Sequence, residues 1–488
     1  MKRTAQLYLL IVSVVGLGIL FILQVGSKLP APAPALSTQS TAQRTQQITY
    51  TSDSSVLGSV KSGFWQNASN PLSRLFLQLM VIISASFLIG RLFTRCGQPA
   101  VVGEMMAGIL LGPSLFGLLA PNIFHFIFAA SSLDALRLFS QIGVCLFMFA
   151  VGMELDVSQL RHKARAAVVI GHGSIVIPYF FGVTLALLLY SRLAQPGASF
   201  IAFALFMGIS MSITAFPVLV RILQDRGILK TALGNTATAC AAVGDVTAWS
   251  ILAFVVAIAR ASSVGGAAVS LGLVLIFVAL MLFVLKRNLP AWLRPALERD
   301  EPGKGALAVV LGVVLVSAFS TELIGIHALF GAFLAGIIMP TAGGFRQKLV
   351  VRVENLSSVL LLPLFFAFIG LRTQIGLLNG GRDWLICFGI IGVATVGKLG
   401  GTALTARLVG MQWRESFQLG ALMNTRGLME LIALNIGYEL NILSLRIFTM
   451  LVVMALVTTV MTGPLLTLFG KRRPMPSSVG RAVERVSG

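Results

Sequence analysis

The chain of 488 residues reads as an all-α polytopic membrane protein, on three observations. Hydrophobic residues make up 56% of it and charged residues only 11%, where a soluble domain carries about 25% charged residues. The apolar residues fall into runs of about twenty, the length a helix needs to cross a hydrocarbon core. Lys and Arg, 37 against 17 Asp and Glu, collect between alternate runs, as cytoplasmic flanks do. That last pattern accounts for the net charge of +20. No nucleic-acid partner is expected, although such a charge on a soluble protein would suggest one.

Fourteen spans follow in order: 7–25, 75–93, 101–118, 134–153, 166–190, 199–222, 231–259, 265–285, 305–322, 326–340, 356–371, 384–407, 416–438 and 446–470. The first follows Lys2 and Arg3. It is long for a signal-peptide core and has no clean small-residue cleavage site, so residues 1–27 are expected to form an uncleaved anchor rather than a removed signal. Residues 28–73, rich in Pro, Ser, Thr and Gln, read as a flexible non-cytoplasmic linker. The other thirteen spans form one membrane domain, 74–470, and 471–488 is a short basic tail after which no soluble domain is expected. With the N-terminus in the cytoplasm, 25 of the 37 basic residues flank cytoplasmic ends and 10 lie opposite, leaving only Lys398 and Arg426 inside the membrane. Both termini are therefore expected to be cytoplasmic.

Two spans carry polar interruptions. In SMSITAFPVL (210–219), Ser212, Thr214 and Pro217 interrupt an apolar run. Pro217 removes a backbone donor and should open the helix about one turn earlier, near Ile213 and Thr214. Alone this is equally an ordinary proline kink. Seven spans later ALMNTRGLMELI (421–432) sets Asn424, Thr425, Arg426 and Gly427 deep in a second span. An odd separation means that the two segments cross in opposite directions, and matched interruptions in inverted repeats point to a transporter's midplane site.

Between them lies AVGDVTAW (242–249), with Asp245 near the middle of a long apolar helix. A carboxylate there is costly and is read as functional by default, with a proton or cation as its partner; the bland reading is a hydrogen bond to a neighbouring helix. Ser212 and Thr214 are the other candidate ion ligands. Lys398, too deep to snorkel, suits a structural counter-charge. Arg426 and Glu430, four apart, share a helix face and are expected to form an ion pair holding the second break. Glu104, Glu154, Asp156 and Glu322 sit near span ends, where solvated and ion-path roles are both open. His172 and His327 read as satisfied polar residues between helices. Four scattered Cys and four His show no ligand spacing. No cofactor is expected, and no metal except a monovalent cation at Asp245.

The segments GQPAVVGEMMAGILLGPSLFG (97–117), FMFAVGMELD (147–156), SITAFPVLVRILQDRGILKTALG (212–234), STELIGIHALFGAFLAGIIMP (320–340) and NTRGLMELIALNIG (424–437) resemble the monovalent cation:proton antiporter-2 family. Within it they are most similar to bacterial sodium/proton exchanger domains and plant cation/proton exchangers. The resemblance covers 74–470. It implies an inverted-repeat antiporter fold with two crossed interrupted helices, a core that moves against a dimerisation domain, and a homodimer in the inner membrane of a bacterium. It also implies that Asp245 is the ion-carrying aspartate, with Pro217, Asn424, Thr425, Arg426, Glu430 and Lys398 supporting the breaks and the charge balance. Relatives carry Asp-Asp or Asn-Asp where this chain has Gly244 and Asp245. With one carboxylate the exchange is expected to be one cation for one proton, hence electroneutral, and Lys398 loses the partner it has in electrogenic members.

The function expected is therefore a secondary antiporter in which H+ competes with Na+ or K+ for Asp245, embedded in a lipid bilayer. A channel-like protein or solute symporter on a similar inverted-repeat fold is the alternative. An enzyme is not expected, because no nucleophile has an adjacent base and no ligand cluster is visible.

Overall fold

Two similar peptides show how the spans stack. MAGILLGP (106–113) and LAGIIMP (334–340) place Gly108 and Gly336 where another helix crosses at backbone distance. A Cβ on Gly108 would collide with the Phe366 carbonyl, and one on Gly336 with the Phe149 carbonyl. In a membrane, where lipid is as apolar as Leu, such small-residue contacts are what hold helices together.

The computed structural model describes residues 2–30, 32, 67–68, 70–154, 160–260, 264–297 and 303–470, and among them no strand forms. The helices are α1 (Lys2–Gly26), α2 (Pro71–Arg95), α3 (Ala100–Leu111), α4 (Ala130–Glu154), α5 (Leu160–Leu193), α6 (Phe200–Ser212), α7 (Phe216–Asp225), α8 (Ala232–Arg260) and α9 (Val264–Ala279). They continue as α10 (Lys304–Ile324), α11 (Ala328–Ile337), α12 (Phe345–Leu356), α13 (Leu362–Arg372), α14 (Gly381–Leu408), α15 (Trp413–Met423), α16 (Leu428–Glu439) and α17 (Leu445–Phe469). Short helical turns at 116–127, 286–297, 342–344 and 375–377 and π-helical stretches at 280–285 and 357–361 lie between them. Among the described residues twelve helical segments are long and apolar enough to cross a membrane, and the protein is an integral multi-pass membrane protein. Large apolar side chains such as Phe76 and Phe87 on α2 and Leu315 and Phe319 on α10 face outward, a surface suited to hydrocarbon.

The packing repeats. α2 lies on α3 as α10 lies on α11, and α5 packs on α6 and α8 as α14 packs on α15 and α17. The set α2 to α8 thus recurs as α10 to α17, with α9 between them. Six crossings plus one connecting crossing make the second set enter from the opposite face, which inverts it. The repeats interlock, because α4 crosses α11 and α13 crosses α3.

Two bundles result. α2, α3, α4, α10, α11 and α13 form one, which holds both glycine crossings; α5 to α8 and α14 to α17 form the other, which holds both interrupted helices. Between them α3 touches α17, and α9 runs on from α8. The N-terminal α1 packs on the second bundle, setting Gly18 against Phe180 and Gly26 against Phe200.

One span differs from expectation. Residues 326–340 give only the ten-residue helix α11, about 15 Å long. His327, at φ 86°, turns the chain into it, and Pro340 follows its end. Asp156, most of the linker and the basic tail from Lys471 lie outside the described residues.

Candidate ion-binding site

The first interruption follows from one proline. Pro217 sits in the first turn of α7, where a missing N–H costs nothing, so α6 must stop before it. α6 ends at Ser212, and Ile213 and Ala215 are extended. The second interruption separates α15, ending at Met423, from α16, starting at Leu428. Gly427 makes close approach possible, since a Cβ there would come within 2.9 Å of a Val218 methyl.

The breaks are hydrogen-bonded to each other. The Ala215 N–H donates to the Thr425 carbonyl at 3.0 Å, and the Thr214 hydroxyl donates to the Met423 carbonyl at 2.9 Å. Half-helix ends leave carbonyls without intrahelical donors, and in a dry interior each needs a partner. At the end of α6 the partners are two cations from the second repeat. Arg426 donates to the carbonyls of Ser210 and Met211, the latter at 2.8 Å, and Lys398 donates to the Ser212 carbonyl. Lys398 also holds the Ser174 carbonyl at 2.9 Å. A C-terminal helix dipole favours positive charge at this place.

The end of α15 uses hydroxyls instead. Thr425 Oγ1 donates to the Leu422 carbonyl at 2.7 Å, beside the Thr214 bond to Met423. Thr459 on α17 accepts the Arg426 N–H at 3.0 Å and donates to the Arg426 carbonyl at 2.8 Å. Arg426 Nη1 pairs with Glu430 Oε2 at 2.9 Å, both side chains fully buried. Asn424 is buried too, its Nδ2 donating to the Thr458 carbonyl at 3.5 Å; its Oδ1 has no partner among the described residues.

Asp245 lies halfway along α8, 1% exposed. Its carboxylate lies within reach of the Phe216 amide at the start of α7 and of the Lys398 charge, and no described side chain hydrogen-bonds either oxygen. It shares a cavity of about 10 Å³ with Ile213, Ala248, Trp249, Leu252 and Met429, close to the least that holds one water. Trp249, one turn along α8, is wedged against Phe330 and Phe333 of α11, with ring centroids at 5.2 and 5.9 Å. Lys398 thus serves backbone carbonyls, while Asp245 stands without a side-chain partner. Gly244 beside it is buried, and a Cβ there would meet nothing nearer than Ile175 Cδ1 at 4.0 Å.

The structure brings Thr214, Arg426, Glu430, Lys398, Asn424 and Thr425 together at the crossing, with Asp245 and Pro217 at the first break. The Ser212 hydroxyl is turned back on its own helix, donating to Gly208 at 2.6 Å; its carbonyl belongs to Lys398. His172 faces the Val168 carbonyl at 2.9 Å and Thr247 at 3.4 Å. Glu104 is half-buried on α3. Glu322 caps α11 by accepting the Ala328 N–H at 2.9 Å. Ser174 and Thr459 went unnoticed in the sequence. The polar run Thr458, Thr459 and Thr462 inside an apolar span was a readable signal for the second.

Comparison with known proteins agrees with this architecture. A family model described as the transmembrane sodium/hydrogen exchanger matches residues 82–472. The Na(+)/H(+) antiporter NhaS4 of Synechocystis is 42% identical over 398 residues, 81% of this chain and 97% of that protein. The K(+)/H(+) antiporter 1 of Saccharomyces cerevisiae is 35% identical across 84% of this chain, which spans about half of that relative's length. The sodium proton antiporter MjNhaP1 of Methanocaldococcus jannaschii shares the fold, with a TM-score of 0.54 at 15% identity, over 82% of this chain and all of that one. By its motifs, its inverted repeats and these matches, the chain belongs to the sodium/hydrogen exchanger family.

Proposed function

We propose that this antiporter exchanges one monovalent cation, Na+ or K+, for one H+ at Asp245, which meets each side of the membrane in turn as the bundle of interrupted helices moves against the crossed one. One observation carries the reading: Asp245 is buried with no side chain bonded to either oxygen, while the two nearby cations make their hydrogen bonds to carbonyls and to Glu430. A buried carboxylate left without a partner is stable only when neutralised, and a proton and a monovalent cation each supply one charge. Competition for that single place is exchange. The relatives' names, Na(+)/H(+) for NhaS4 and K(+)/H(+) for the yeast protein, support both cations as candidates.

Gly244 supplies no second carboxylate, which supports one-for-one, electroneutral exchange. The excess of Lys and Arg supports a cytoplasmic location for the face where α7 ends at Asp225 and for both termini. A homodimer in the inner membrane of a bacterium belongs to the same proposal. The test is Asp245→Asn in proteoliposomes: cation-dependent proton movement should fall to background while the protein stays folded, and full exchange by this variant would remove Asp245 from the mechanism.

A further inference from the structure

The seam between the bundles is tied differently at its two faces. At the face where α16 ends, Arg372 reaches from α13 of the crossed bundle to α16 of the other. Its Nη1 lies 2.6 Å from Asn435 Oδ1 and 3.2 Å from Glu439 Oε1. Its guanidinium lies 4.2 Å from the Phe368 ring centroid and 5.2 Å from that of Tyr438. A cation with two oxygen acceptors and two aromatic faces is held more firmly than an exposed pair, and the Arg372 side chain is only 19% exposed. A second link, Arg260 to Glu322 at 4.0 Å, joins α8 to α10 at the same face.

Beneath Arg372 the seam encloses a cavity of about 10 Å³ lined by Ser140, Gln141, His327, Phe365, Phe368 and Asn435. Two of its groups are buried and unbonded among the described residues, the Ser140 hydroxyl and His327 Nδ1. Unpaired buried polar atoms are costly, and both of these face the cavity under Arg372. His327 also holds φ at 86°, a strained conformation of the kind that clusters at switch regions.

At the opposite face a crevice runs between Gly97, Gln98 and Pro99 on one side and Asp225, Arg226 and Thr459 on the other. The hydrogen bonds and ion pair there stay within one bundle, Arg221 with Asp225 at 3.2 Å and Arg226 with Thr467 at 3.2 Å; across the crevice Arg221 acts on Glu104 of α3 only at longer range, without an ion pair. Thr459, at the crevice floor, is the residue that binds the second break.

From this asymmetry we infer that Arg372 is a latch: it holds the bundles together at the Glu439 face, and it must release Asn435 and Glu439 before Asp245 is reached from that side. The inference rests on the exchange reading only in requiring access from both faces, and it can be tested without measuring transport. In a background with Cys96, Cys145, Cys240 and Cys387 replaced, Ser140→Cys is treated with a membrane-impermeant maleimide from the Glu439 face of sealed vesicles. With Arg372 present labelling should be slow. Arg372→Ala should speed it about tenfold or more, the ratio that a loss of ~1.4 kcal/mol from the closed state produces. Glu439→Gln should have a smaller effect in the same direction, and Arg226→Ala at the opposite face none. Equal labelling rates in folded Arg372→Ala and its parent would overturn the latch. If Arg372→Ala does not accumulate, Glu439→Gln and Asn435→Ala decide the question in the same way, the first removing the charge of one acceptor and the second removing the other acceptor, with the arginine left in place.

Discussion

The two helix breaks share a backbone design and differ in what neutralises them. At the second break charge is balanced locally: Arg426 pairs with Glu430 on the next turn, and threonine hydroxyls take the remaining carbonyls. At the first, the carbonyls at the end of α6 are held by cations borrowed from the other repeat, and the carboxylate beside it is held by no side chain. An inverted repeat can therefore make one half a structural clamp and leave the other half with a carboxylate that no side chain hydrogen-bonds. In the exchange proposed above, that unbonded carboxylate is the vacancy that a proton or cation fills.

Substitutions can break that contrast or sharpen it. Asp245→Asn has the largest functional effect, because it removes the vacancy itself: exchange should be lost in proteoliposomes with little change in melting temperature. Arg426→Ala should have the largest effect on stability. It strands Glu430 and two carbonyls without a partner, and removal of one member of a buried ion pair costs about 3–5 kcal/mol, read as a lowered melting temperature in detergent. Lys398→Met should cost about 1–3 kcal/mol by leaving the Ser174 and Ser212 carbonyls unbonded. It breaks no hydrogen bond to a carboxylate, so residual exchange is expected; a complete loss in folded protein would mean that exchange requires the ammonium charge near Asp245.

Gly244→Asp makes the first break richer in carboxylate, and the open space around residue 244 should admit it. Exchange should then become sensitive to an imposed membrane potential, since one net charge carried across is worth about 2.3 kcal/mol per 100 mV; the parent should show no such dependence. Thr459→Val has the smallest effect, about 1 kcal/mol for the lost hydrogen bonds at the second break, with exchange retained.

Much of this was legible in the residues. Each of the fourteen apolar runs corresponds to a helix or to a broken pair of helices, because membrane insertion reads local hydropathy. Pro217 marked where α6 had to end, since a proline fits the first turn of a helix and not its middle. The Gly108 and Gly336 peptides were in view as well, although their meaning as crossing points depends on which helix lies opposite. Ser212 shows the limit. Its type suited an ion ligand, but a hydroxyl can turn back to the carbonyl four residues earlier, and that choice is made by packing.

The sequence by itself determined the spans, their alternating direction, the positions of both interruptions and the identity of the few charges inside the membrane, because the cost of burying a charge or breaking a helix is a local property. Only the tertiary structure decided who partners whom. Arg426 finds its acceptors 215 and 216 residues away, and Lys398 reaches across 186 and 224. Hydrogen bonds act over about 3 Å, so pairing across such separations depends on how the two repeats interlock. That same interlocking leaves Asp245 unpaired and sets Arg372 across the seam.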